Sequence, residues 1–125
     1  MRTTPALLRE VEGLRDQAKT DPDVDYVRLK ELAEHENPLI CAQALLGLDY
    51  VGKLKMRPDL IPFFEKQLQV DNELIRQRSF VSLAHLDEER REYWLDWGDV
   101  QEETSIKAVS KNIRKRYEEE ANETQ

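Results

Sequence analysis

The sequence predicts an all-α fold: a short α-solenoid (superhelix) of tandem antiparallel helical hairpins, about seven helices in all. Apolar residues recur at helical spacing along nearly the whole chain, and no long segment alternates with period two. Four glycines and five prolines are too few for a turn-rich β sandwich. Residues 37–48 align without gaps on residues 72–83, an offset of 35, which is the period of stacked helix pairs.

The elements follow in order. Leu7, Leu8, Val11, Leu14 and Ala18 mark a first helix, with Thr4 as its cap and Pro5 in its first turn. Asp21-Pro22-Asp23 opens a second, carrying Val24, Val27, Leu29, Leu32 and Ala33. Asn37-Pro38 opens a third, through Ile40, Ala44, Leu48 and Val51, and Arg57-Pro58-Asp59 a fourth, with Leu60, Phe63, Phe64 and Leu68. Asp71-Asn72 opens a fifth, with Ile75, Phe80, Leu83 and Leu86. A short aromatic helix around Tyr93 to Trp97 and a longer one from about Glu102 to Tyr117 complete the set. At each start a short polar side chain or Pro pairs with first-turn acids, which suit the unbonded N–H groups and the helix dipole. Glu118-Glu119-Glu120 sit at the wrong end of a dipole, so residues 1–120 form one domain and 121–125 a frayed acidic tail.

Within the aligned segments, Asn37/Asn72, Leu39/Leu74, Ile40/Ile75 and Leu48/Leu83 are identical, and Ala44/Ser79 and Gly47/Ser82 agree in size. Ile40, Ala44, Leu48, Ile75, Ser79 and Leu83 are therefore expected between hairpins. The run from Asp71 to Leu83 resembles the second helix of a HEAT-like (armadillo-type) repeat. It has an acid at the turn, an aliphatic-Arg pair at Ile75-Arg76, a small residue at Ser79 and Leu83 near the end. The earlier copy fits through Glu36, Ile40, Ala44 and Leu48 but has Cys41 where the family usually places Arg. A degenerate third copy pairs the Tyr93–Trp97 helix with Ile106-Lys107 and Ser110, so the resemblance covers about residues 22 to 117. It implies architecture and a binding scaffold, and says almost nothing of activity.

Composition limits the partners. Of 125 residues 36% are charged, and the net charge is −7, which opposes a general phosphate-backbone binder. One cysteine cannot close an internal disulfide, and no apolar run reaches the length of a membrane span. The expected setting is the cytoplasm, with no membrane contact.

The chemistry-bearing motifs are few. The sequence has no Gly-rich phosphate loop, nucleophile elbow or spaced Cys/His set. His35-Glu36 matches the pairs with which some HEAT-like hydroxylases hold iron, but such a site needs several pairs, and His85 is followed by Leu86. Cys41 reads as a buried small residue with no cation nearby to activate it. No catalytic residue, cofactor or metal is expected.

Two surfaces stand out. Gln43 and Tyr50, then Arg78 and His85, are each seven apart and form a stripe on the repeats' second helices, the concave side of a solenoid. The segment from Asp87 to Glu103 holds eight acids against Arg90 and Arg91, around Tyr93, Trp94, Leu95 and Trp97. A helix cannot bury all four on one face, so one or two serve the core. The tryptophans either close the last hairpin or leave Trp94 or Trp97 in an acidic rim suited to a partner with a basic segment. The resulting expectation is a protein–protein interaction module, an adaptor or scaffold without catalysis. The alternative is a nucleic-acid-associated protein using Lys107, Lys111, Arg114 and Lys115 on the basic helix 105–117. A HEAT-like metal-dependent enzyme ranks third.

Overall fold

The structure is a computed structural model and describes residues 3–123. Over that span the chain forms α1 (Thr4–Ala18), α2 (Tyr26–Ala33), α3 (Pro38–Leu54), α4 (Leu60–Gln67), α5 (Glu73–Leu86), α6 (Arg91–Asp99) and α7 (Thr104–Glu123). A single 3-10 turn, Glu88–Arg90, leads into α6, and no described residue is in a strand. The chain is all-helical.

Helix starts are set by caps. Asn37 and Asn72 accept from Leu39 N and Ile75 N at 3.0 and 3.2 Å, satisfying N–H groups that the first turn leaves open. The first helix starts one residue earlier than expected: Thr3 is the cap, accepting from Ala6 N, and Thr4 is already helical. The second starts later. Asp21 turns back on Asp23 N at 2.9 Å, which holds Pro22 and Asp23 in a turn, and Asp25 caps Tyr26–Ala33 through Arg28 N. Asp59 precedes α4 but makes no cap bond, because its carboxylate takes the Tyr26 hydroxyl at 2.8 Å and Lys30 at 2.5 Å. Burial and Asp59 hold the Tyr26 phenol above its usual range, while Lys30 keeps Asp59 below the carboxylate range. This polar cluster ties α2 to the start of α4.

First-turn acids are rarer than expected. Among the seven α-helices only Glu73 in α5 and Glu92 in α6 occupy that position. The last helix runs to Glu123, past the expected boundary at residue 120, and Thr124 and Gln125 lie outside the described residues.

The long helices form a row, with α1 on α3, α3 on α5 and α5 on α7. The short helices pack on it, α2 against α3, α4 against α5, and α6 against both α5 and α7. Residues 35 apart in α3 and α5 share one environment. Ile40/Ile75, Ala44/Ser79, Gly47/Ser82, Leu48/Leu83 and Val51/Leu86 are all buried, whereas Leu39/Leu74 are both exposed. Removing a Leu, Ile or Phe from water contributes about 1.5–3 kcal/mol each, so the fully buried side chains of these types, Leu48, Leu83, Phe64 and Phe80 among them, dominate the core.

Small residues are required where backbones approach closely. A Cβ on Gly47 would lie 3.0 Å from Leu29 and 3.3 Å from the Arg15 backbone, so α1 and α2 both press on α3 there. On Gly98 it would lie 2.5 Å from the Phe80 ring and 3.0 Å from Ser110.

Position 41/76 shows one task met by two side chains. Cys41 is buried and donates its thiol to the Ala33 carbonyl at 2.8 Å, while Arg76 donates to the Val70 carbonyl at 2.7 Å. Each reaches back to a carbonyl of the segment before its own helix, although that of Val70 also accepts the Asn72 N–H at 2.8 Å. Burial pushes the Cys41 thiol up to about 11, with Glu34 adding to the effect, so the thiol is inert at neutral pH.

Candidate functional site

Much of the predicted stripe is taken up by contacts between helices. Gln43 accepts from Arg15 of α1 at 2.5 Å, and Lys19 sits 5.6 Å above the Tyr50 ring. His85 packs edge-on against Tyr117 of α7, with ring centroids 6.5 Å apart. Arg78 alone of the four is exposed, and its side chain makes no hydrogen bond or ion pair among the described residues.

The aromatic segment buries its tryptophans, wholly or in part, and exposes a tyrosine. Trp94 is 5% exposed and donates its indole N–H to Asp87 at 3.0 Å, which makes it a core residue. Trp97 is half-buried against Phe80, centroids 5.8 Å apart. The exposed ring is Tyr93, at 56%, beside the Arg90 guanidinium. No tryptophan therefore stands free in the acidic rim. Trp97 packs on Phe80 of α5 and Trp94 packs edge-on against Trp97 instead.

The basic helix also divides. Arg114 reaches Glu92, Asp96 and Asp99 at 2.9, 3.0 and 2.9 Å, so it is spent on α6 and its guanidinium is held above its usual range. Lys107, Lys111 and Lys115 are exposed and unpaired among the described residues.

Asp49, Ser82 and His85 meet at the α3–α5 contact without forming a catalytic triad. Ser82 donates directly to Asp49 at 2.7 Å, Lys53 stands 3.2 Å from the other carboxylate oxygen, and both ring nitrogens of His85 are buried without a partner. In a triad the serine donates to the histidine, whereas here it donates to a carboxylate already paired with Lys53 and the imidazole takes no part. Beyond His85 opens a cleft of about 550 Å³, edged by Lys53, Met56, Glu88 and Glu89. Among the described residues no group of three or more His, Cys, Asp or Glu side chains could hold a metal ion. His35 instead accepts the Asn37 backbone N–H at 2.9 Å. No helix of the described residues is long and apolar enough to cross a membrane.

Sequence reasoning missed a groove of about 360 Å³ between the α2–α3 turn and the α4–α5 turn. Its walls come from Ala33, Pro38, Cys41, Val70 and Ile75, and its rim from Glu34, His35, Glu36, Lys66, Asp71 and Asn72. Gln67 also lines it, at 3% exposure, and its side-chain amide makes no hydrogen bond among the described residues. The one signal available in the sequence was the identity Leu39/Leu74. These leucines occupy the first turns of α3 and α5 beside the groove, and they are 61% and 38% exposed. An identity kept outside the core is not explained by packing.

Comparison of the chain with protein families, with curated proteins and with solved structures finds no match.

Proposed function

We propose that the chain is a protein-interaction module, an adaptor or scaffold built as a short HEAT-like α-solenoid and working in the cytoplasm without chemistry of its own. The observation that carries this reading is the pair Leu39 and Leu74, exposed at equivalent positions in the first turns of the two helices whose starts line a groove. Scattered exposed leucines are ordinary, but a pair repeated at the same position of two successive hairpins is apolar surface of the kind partners cover. The repeat accounts for the basic helix as well. In the alignment Ile40/Ile75/Ile106, Lys111 stands where α3 has Leu45 and α5 has Phe80, both buried. A helix with no hairpin stacked on that face needs polar residues there, and Lys107, Lys111 and Lys115 supply them.

The test is retention of a partner from native lysate on the immobilised chain, read by mass spectrometry and compared with a bait of equal net charge. Loss of a specific partner with Leu39→Glu/Leu74→Glu, and its retention with Tyr50→Ala and Arg78→Ala, is the expected pattern. The reverse pattern moves the site to the long-helix stripe. No specific retention overturns the reading. Binding to a heparin column that weakens steeply with salt and drops with Lys111→Glu would favour the nucleic-acid alternative.

A further inference from the structure

We propose that the groove between the α2–α3 and α4–α5 turns binds an extended peptide segment of a partner protein in which a Lys or Arg stands beside aliphatic residues. The inference rests on the interaction reading above and names the partner's chemistry. Gln67 is the central observation. Its side chain is 3% exposed, lines the groove and makes no hydrogen bond among the described residues, so the amide is left to whatever occupies the groove. An amide offers both donor and acceptor, which is the complement of a backbone peptide group.

Two rim residues extend the match. His35 Nδ1 accepts from Asn37 N, so the neutral ring carries its proton on Nε2 and presents a donor. Asn72 spends its carbonyl oxygen on Ile75 N, which leaves its NH₂ free to donate. Both side chains line the groove and suit the carbonyls of an extended chain. Val70 is exposed and lines the groove, where it provides an apolar contact, and Leu39 and Leu74 are exposed in the first turns of the helices whose starts line it.

Charge selects the segment. The rim carries Glu34, Glu36 and Asp71 against Lys66, which lies 3.7 Å from Glu34. Asp71 has only a 4.0 Å contact from Arg76, whose guanidinium is otherwise held by Glu103. The surplus is negative, so a cationic side chain is favoured and a phosphate backbone is not. The volume, about 360 Å³, lies at the low end of ligand clefts, which run from roughly 300 to 1,000 Å³, and suits a short stretch of chain.

The experiment screens immobilised short peptides of random sequence against the full chain, then measures the best sequence as a free fluorescent peptide by anisotropy. Enrichment of Lys or Arg next to Leu, Ile or Val is expected. Gln67→Leu should weaken that peptide about tenfold, by removing the paired amide. Glu36→Lys/Asp71→Lys should weaken it about tenfold at low salt and less at high salt. Gln67→Leu should melt at the same or a higher temperature than the natural chain; a lower one would show that the amide already serves the fold and would sink the proposal. Enrichment of acidic peptides would overturn it, as would a basic peptide whose affinity neither variant changes. If a lysate partner is retained while no peptide is enriched, the groove assignment fails and the interaction reading stands. If neither binds, both fail.

Discussion

Ser82 of α5 donates its hydroxyl proton across 2.7 Å to Asp49 of α3, a carboxylate only 5% exposed. The pair couples the two long helices at the centre of the row. Ser82→Ala would leave the buried carboxylate to Lys53 alone and should destabilise the chain by about 1.5–3 kcal/mol, the range for a hydrogen bond to a charged group. In an Asp49→Asn background the same change should cost less, because the acceptor is neutral. Urea unfolding of the four chains measures both, and equal losses in the two backgrounds would mean that the carboxylate's charge is irrelevant to the contact.

Leu83 is fully buried in α5. Leu83→Ala removes a side chain whose neighbours can collapse only in part, and should cost about 2–5 kcal/mol. A loss under about 0.5 kcal/mol in the same assay would contradict its place in the core.

Gly98 faces Phe80 with no room for a methyl group. Gly98→Ala improves helix propensity, yet it forces a ring held against Trp97 to move. Overpacking should win, with a net loss of about 1–3 kcal/mol and a lower melting temperature. A gain in stability would show that the ring shifts freely.

His85 makes stability depend on pH. Burial holds its pKa below the ordinary 6.5, against the pull of Asp49 on α3; Lys53 on α3, Arg116 on α7 and Arg91 on α6 lower it further. Because the folded pKa is depressed, the unfolded chain binds the proton more readily. The stabilisation is therefore present above about pH 6.5 and is lost as pH falls below it. Melting temperature should fall on acidification from neutrality, and His85→Gln should flatten that part of the curve while leaving the steeper carboxylate region below. Identical curves for both chains across that interval would contradict the assignment.

The parts of the fold legible in the sequence were those set by neighbours in the chain. Asn37 and Asn72 cap their helices because a short polar side chain reaches the next turn whatever the rest of the molecule does. Ile40, Ala44, Leu48, Ile75, Ser79 and Leu83 are all buried, as their helical spacing required. Local choices between equivalent residues were not legible. Thr3 and Thr4 cap equally well in isolation, and Asp21 can open a helix or close a turn on Asp23.

What a side chain does at the surface was decided by the tertiary structure alone. Trp94 is buried and Tyr93 exposed because α5 and α7 cover one side of a short helix, and nothing within α6 says which. Arg114 and Lys111 lie on the same helix and carry the same charge, yet α6 brings three carboxylates to one and none to the other. Gln67 ends α4 as an ordinary polar residue would, and only the packing of the two turns makes it a 3% exposed groove residue with no hydrogen bond from its amide among the described residues. Periodicity and capping are properties of a few consecutive residues, so the sequence determined the helices and the core. Exposure, pairing and concavity depend on residues in other helices, fifteen or more positions away for every partner of Arg114, so folding alone determined the surface.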